Sequence, residues 1–331
     1  MSEQIDLLTI GDASLDAFIF PTESETLCQL NDRDSLICFT YGDKIPVKEL
    51  EFSIGGNAAN NAVGTRRLGV KNSVVLTLGG DKIGDQIVET LIKEGVETGN
   101  VFRVPEKRSN YSLAINYSGE RTIFTYKDDI DYKFPDMIPE TPWIYLTSMG
   151  DKFEETYQKV VDWIKLHPEI KLVFNPGSRQ LRVGVEKLKN ILSVSYIVYI
   201  NRQEAEKLSG QSESQGKEKD LLKAVSGLGP KYPIITDGPN GSYVFYENKF
   251  YKSEVLPVDA FERTGAGDSF GSGCLAALIK GKDIREALIW GTVNSASVIG
   301  YIGAQKGLLK ENEITTWLER AKSSNLKVEE I

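Results

Sequence analysis

A single stretch of the 331-residue chain combines backbone anion donors with a candidate proton acceptor: TGAGDSFGSGCLAALIKG, from Thr264 to Gly281. Its glycines predict a tight turn, and Phe270, Cys274, Leu275, Ala277 and Leu278 recur at helical spacing up to a glycine stop. A turn feeding directly into a helix lets the amides of Gly265, Ala266 and Gly267 converge where the helix dipole also favours negative charge. A phosphate fits such a cradle. Asp268, a carboxylate in the same place, would repel one, so it needs another task; accepting the proton of an attacking hydroxyl is the obvious one. The plainer alternative is an aspartate capping an ordinary buried helix.

Stepping outward, the elements that must position this turn alternate between strand and helix. IDLLTI (Ile5–Ile10), Ser73–Leu78, Trp143–Thr147, Lys171–Asn175, Tyr196–Asn201 and Pro233–Thr236 read as buried strands. Helical patterns lie between them, at IGGNAANNAVGTRRLG, Ile87–Glu94, Phe153–Leu166, Val183–Leu192 and Gln203–Leu208, and after the turn at Ile284–Val298 and Glu311–Ala321, ahead of a charged tail. Repeated βα units predict an α/β fold with a mostly parallel central sheet and helices on both faces. The glycine, asparagine and aspartate turns that follow these strands then share the carboxyl edge of the sheet, where ligands collect. Two β-rich excursions, about 13–52 (with short runs at Ala17–Phe20, Leu36–Tyr41 and Ile45–Phe52) and 101–127 (Val101–Val104, then a hairpin turning at Ser118-Gly119-Glu120), predict a small β-sheet lid over that edge. The whole of 1–331 is expected to form one domain.

Composition narrows the function. A net charge of −8, with no Lys/Arg run longer than a pair, points away from nucleic acid and from an anionic membrane surface. Three widely spaced cysteines (Cys28, Cys38, Cys274) and one histidine (His167) suit a reducing cytoplasm and leave no material for a disulfide frame, a zinc centre or a histidine triad. The start MSEQIDLL does not read as a signal peptide, and no apolar run approaches membrane-spanning length. GxxxxGK[ST], a GxGxxG after the first strand and GxSxG are all absent.

Taken together, GGNAANNAVGTRRLG and TGAGDSFGSGCLAAL resemble the two signature segments of the ribokinase-like (PfkB-type) carbohydrate and nucleoside kinases. NRQE at 201–204, TDGPNG at 236–241 and GAQKG at 303–307 extend the resemblance over nearly the whole chain. It implies a parallel sheet with a β lid and ATP-dependent phosphoryl transfer to a hydroxyl. Residue by residue, it implies Asp268 as general base, with Gly265, Ala266 and Gly267 as the anion hole. Asp16, Gly55, Gly56, Asn57 and Asn60 fall at acceptor-binding positions, Asn57 standing where ribokinases often have lysine. Asn201, Glu204, Thr236, Gly238, Gly241 and Asn294 fall on the nucleotide side. Glu204 would hold Mg2+ through water, and Asn294 would line the adenine pocket.

Two departures bear on cofactor and substrate. Glu262-Arg263-Thr264 replaces the usual Asp-Thr-Thr near which some members bind a monovalent cation, so dependence on potassium stays open. Arg263 is either a fixed charge near the phosphates or a solvated loop residue. A glutamate that ribokinases carry near Thr147-Ser148 is missing, which argues against ribose. The expected acceptor is a small sugar or sugar acid. The alternative, a nucleoside, needs an aromatic-walled pocket, for which Phe18, Phe20, Phe39, Tyr41, Tyr111 or Phe124 are available. A homodimer through exposed lid strands is expected.

Overall fold

The computed structural model describes residues 4–22, 28–29, 35–117 and 120–331. In chain order the elements begin with β1 (Leu7–Ile10), β2 (Ser14–Pro21), β3 (Cys28–Gln29), β4 (Ser35–Leu36), β5 (Val47–Gly55), α1 (Asn57–Arg67), β6 (Asn72–Gly79), α2 (Lys82–Lys93) and β7 (Glu97–Val104). The hairpin strands β8 (Asn110–Tyr117) and β9 (Glu120–Tyr126) follow, then β10 (Trp143–Leu146), α3 (Glu154–Leu166), β11 (Lys171–Phe174), α4 (Ser178–Arg182) and α5 (Val185–Ser193). The chain continues through β12 (Ile197–Asn201), α6 (Arg202–Ser209), α7 (Glu218–Ser226), β13 (Tyr232–Thr236), β14 (Ser242–Tyr246) and β15 (Lys249–Ser253). It closes with α8 (Ala266–Ile279), α9 (Ile284–Val298), α10 (Glu311–Ser323) and β16 (Val328–Glu330).

The large sheet has ten strands in the order β16-β15-β14-β13-β12-β11-β10-β1-β6-β7. It is parallel from β13 through β7 and antiparallel at β14, β15 and β16. Its central strands are continuous apolar runs because both faces are covered. Leu8, Ile10, Ile144, Leu146, Leu172 and Phe174 pack on one side with residues of α3, α5, α6 and α7. Leu7, Trp143, Tyr145 and Val173, the alternate residues, pack on the other with α8, α9 and α10. The helix α8 can lie deep because its face is made of small residues: a Cβ on Gly273 would come within 2.7 Å of the Trp290 carbonyl. Loss of one of these buried leucines, Leu172 for instance, would cost about 2–5 kcal/mol.

The small sheet has the order β5-β2-β8-β9. β2 runs antiparallel to β5 and parallel to β8, and β9 returns antiparallel to β8. Four expectations are corrected. Val101–Val104 is not in this sheet: it ends β7, which pairs with β6 at the margin of the large one. Gly95, at φ +80°, turns the chain from α2 back alongside β6, and an alternating pattern cannot say which sheet it will join. Of Leu36–Tyr41, only Leu36 is in a strand, β4. The helix expected over Val183–Leu192 begins only at Val185, after Gly184, where φ is +90°. The charged tail forms β16 against β15. Part of the first excursion (23–27 and 30–34) and the hairpin turn at Ser118-Gly119 lie outside the described residues.

Candidate active site

The turn before α8 is built on two glycines with different reasons. Gly265 is left-handed (φ 79°, ψ 0°), and a Cβ there would sit 2.5 Å from that of Ala304. At Gly267 an added Cβ would meet no protein atom within 4 Å, because the residue faces the cleft. The Ala266 amide donates to the Arg263 carbonyl at 3.3 Å, while those of Gly265 and Gly267 make no backbone bond among the described residues, as the first amides of a helix must. Tyr199 donates its hydroxyl to the Gly267 carbonyl at 2.9 Å and stacks on Phe270, fixing the turn from below.

Asp268 follows on the first turn of α8. Its Oδ2 accepts a bond from Asn60 Nδ2 at 2.8 Å, and Asn60 Oδ1 in turn accepts from Gln305 Nε2 at 2.9 Å. Burial pushes the Asp268 carboxyl up to about 6; the Asn60 bond acts downward and the Asp16 charge upward. Asn60, expected to grip the acceptor, is therefore already engaged in holding Asp268.

Asp16 stands on β2 between Ser53 of β5 and Ser112 of β8. It accepts from Ser14 Oγ at 2.8 Å, and burial raises its pKa against the Ser14 and Ser112 bonds. A Cβ on Gly55 would fall on the Asp16 carboxylate, and one on Gly56 (φ +87°) would lie 2.6 Å from Ala13 Cα. These two glycines let the end of β5 close over β2 and deliver α1. Asn57 Nδ2 reaches Asn175 Oδ1 at 3.3 Å, and both line a cavity of about 390 Å3 with Asp268, Gly267, Asn201, Glu204 and Thr236.

Across Gly267 lies a second cavity of about 430 Å3, walled by Leu256, Val258, Phe270, Ala296 and Ile299, with Gly238, Gly241 and Arg263 at its margin. Asn201 and Thr236 border both. Asn201 Oδ1 caps α6 through the Glu204 amide at 2.9 Å, and Glu204 Oε2 returns to the Asn201 amide at 2.9 Å. Burial raises the Glu204 pKa, with the Asp268 charge adding to it. Asn294 is a correction. It is fully buried, donating to the Ser269 carbonyl at 2.7 Å and accepting the Leu309 amide at 2.9 Å, so it ties α9 to α8. Helical periodicity places Thr292, Ser295, Ala296 and Ile299 on the cavity side instead.

Reading the chain did not single out Lys127, Arg179 and Arg182, which also line the first cavity. Lys127 pairs with Asp12 at 2.7 Å and Arg179 with Asp151 at 2.5 Å. Their isolated positions in loops and a five-residue helix carry no periodic or motif signal. Gln305 lies in the GAQKG segment, whose sequence gave no hint of a bond to Asn60.

A parallel sheet with its ligand cleft at the carboxyl edge, a helix-start cradle containing a carboxylate, and a second sheet opposite define a phosphotransferase of the ribokinase fold. The pfkB family carbohydrate kinase model matches residues 24–311, and the chain belongs to that family. It is thus an ATP-dependent phosphotransferase acting on a hydroxyl group. The ATP-dependent 6-phosphofructokinase of Thermoanaerobacterium thermosaccharolyticum is 24% identical over 314 residues, covering 91% of this chain and 90% of that protein. The fold is similar to that of Arabidopsis thaliana ribokinase complexed with ribose and ATP (TM-score 0.78, 18% identity, 96% of this chain and 99% of that one). It is also similar to that of Methanocaldococcus jannaschii nucleoside kinase (TM-score 0.75, 20% identity, 96% and 99%).

Proposed function

We propose that this kinase transfers the γ-phosphate of ATP to a hydroxyl of a small sugar or sugar acid, with Asp268 as general base. One observation carries the reading: Asp268 opens on a mainly polar cavity, in which Tyr199 supplies the one aromatic ring, at the point where that cavity meets an apolar one across Gly267. The apolar cavity suits a purine base; the polar one, lined by Asn201, Glu204 and Thr236 together with Asn57 and Asp268, suits the phosphates and the acceptor hydroxyl that meets them. Of the six aromatic residues available for a nucleoside pocket none lines the first cavity; Phe18 is buried against Ile302, and Phe39, Tyr41 and Phe124 are exposed. Arg182, with Lys127 and Arg179 beside their carboxylate partners, lines the same cavity and suits an acceptor that carries a carboxylate.

In this mechanism the acceptor oxygen attacks the γ-phosphorus as its proton passes to the Asp268 carboxylate. The bond to the β,γ-bridging oxygen breaks, leaving ADP and a phosphate ester. The amides of Gly265 and Gly267 and the α8 dipole face the transferring group, whose transition state is loose and highly charged, while the Ala266 amide is held by the Arg263 carbonyl. Asp16, opposite on β2, accepts acceptor hydroxyls, and Asn60 holds the base. Thr236, Gly238 and Gly241 border the nucleotide, with Asn201 and Glu204 near its phosphates. The Glu204 carboxylate, in a cavity wall and near Asp268, would hold through water a magnesium ion bound with the nucleotide, which would neutralise phosphate charge. Glu262 already holds an internal positive partner, Arg121 at 3.3 Å, so turnover is expected to be the same in potassium and choline salts.

The small sheet acts as the lid, and ATP use suits a cytoplasmic enzyme. Strand register puts Leu50, Phe52, Phe124 and Tyr126 on the face turned away from the cleft, all exposed, and this face is the proposed homodimer contact. ATP consumption over a panel of sugars, sugar acids and nucleosides tests the substrate. Turnover of a nucleoside with poor use of its free sugar would replace this reading by the nucleoside kinase.

A further inference from the structure

Glu262 is a carboxylate with 6% exposure, just ahead of the catalytic turn and outside both cavities. Its Oε1 accepts the Thr264 amide at 2.9 Å and the Thr264 hydroxyl; its Oε2 accepts the Gly303 amide at 3.0 Å. The charge that balances it comes from another part of the molecule. Arg121 lies on β9 of the small sheet, on the cleft face with Ser112 and Thr125, and brings its Nη1 to 3.3 Å from Oε1. The two loops that Glu262 grips are the two that shape the site. Thr264 leads into left-handed Gly265, and Gly303 precedes Ala304, against which Gly265 packs. Two residues further on, Gln305 donates to Asn60, the donor to Asp268.

The small sheet also touches the 302–306 loop directly. Ile302 packs on Phe18 and Ala114, and Lys306 pairs with Glu51 at 3.4 Å. The Lys306 pair is solvent-exposed and contributes little. The Arg121 pair differs, because a buried carboxylate that loses its guanidinium keeps only neutral donors, which favours rearrangement of the groups that hold it.

We infer that Arg121 is a positioning residue: through Glu262 it couples the seating of the small sheet to the alignment of the catalytic turn and of Asp268. Seating the sheet brings the guanidinium to Glu262, and Glu262 then sets Thr264 and Gly303, so closure and assembly of the site are one event. The inference rests on the kinase class and not on the identity of the acceptor.

The test compares wild type with Arg121→Ala, Arg121→Lys and an Arg121→Ala/Glu262→Gln double variant. Amide exchange is followed over 120–126 and 301–306, and ATP turnover is measured with whichever acceptor the panel identifies. Arg121→Ala should exchange faster in both segments and lose kcat by about 10–100-fold, the scale of a small misalignment, while ATP affinity by calorimetry is unchanged. Arg121→Lys should recover part of the rate. Guanidinium chloride, below denaturing concentration, should restore part of it to Arg121→Ala and none to the double variant. Wild-type kcat in Arg121→Ala, even with a lowered Tm, would overturn the inference, as would unchanged exchange over 301–306 or equal guanidinium response in the double variant. A wild type that turns over no ATP with any acceptor would count against the kinase reading alone, and the exchange measurements would still decide the coupling.

Discussion

Asp268 is held where a carboxylate is uncomfortable, and that discomfort is useful. A carboxyl pushed up to about 6 is a stronger base than an exposed aspartate yet is ionised at neutral pH. The acid limb of kcat/KM should therefore rise through about pH 6 as Asp268 ionises. Asp268→Asn keeps an acceptor for Asn60 but removes the proposed base, so kcat should fall by about a hundredfold or more with nucleotide affinity intact. Near-normal turnover would return Asp268 to a capping role. Stability should move the other way. The native state binds this proton more tightly than the unfolded chain, whose aspartate titrates near 3.8, so stability is lost as pH rises between those two values. Thermal melts should show Asp268→Asn stabilised at about pH 7.5, the gain fading toward pH 4. Asn60 supplies the bond that favours the carboxylate, so in Asn60→Ala the acid limb should shift to higher pH. The same change leaves Gln305 without its partner, at about 1–3 kcal/mol. An unmoved limb would mean that Asn60 does not set the base.

At the scale of the element, the start of α8 is a device in which each glycine has its own task. Gly265 supplies a left-handed turn against Ala304, and Gly267 supplies empty space above the helix start. Substitution should separate the two. Gly267→Val places its side chain in the cleft without striking protein, so the variant should fold with a wild-type melting profile and fail to transfer phosphate. Gly265→Ala is forced against φ 79° and Ala304, so it should lower Tm. Normal turnover in Gly267→Val would put the anion hole elsewhere.

At the scale of the molecule, the cleft exists because two sheets face each other. In the proposed mechanism the acceptor side is borrowed from β2 and the phosphate side from the carboxyl edge of the large sheet. Asp16→Ala should raise KM for the acceptor about ten- to a hundredfold and leave KM for ATP unmoved. An equal loss of ATP affinity would place Asp16 at the wrong end of the cleft. The outward face of the small sheet predicts association: sedimentation should show a dimer that Phe52→Glu or Phe124→Glu converts to monomer. A wild-type monomer at high concentration would leave that face without a partner copy.

The strand-helix alternation, the boundaries of α9 and the turn at Gly265–Asp268 were legible in the chain, since continuous apolar runs, helical spacing and glycine positions are local properties. The placement of Asp268 beside a helix start was legible for the same reason. Other features required the tertiary structure. Whether Val101–Val104 joined one sheet or the other depended on which strand offered a free margin, and an isolated alternating run carries no such information. Asn294 has the right residue type for a pocket, but the rotation of α9 against α8 turned it into the core. Asn60 and Gln305 are 245 residues apart, and only the close packing of α1, α8 and the 302–306 loop brings them together on Asp268. Composition and periodicity report what each segment buries; which distant side chains then meet is decided when those buried faces are packed against one another.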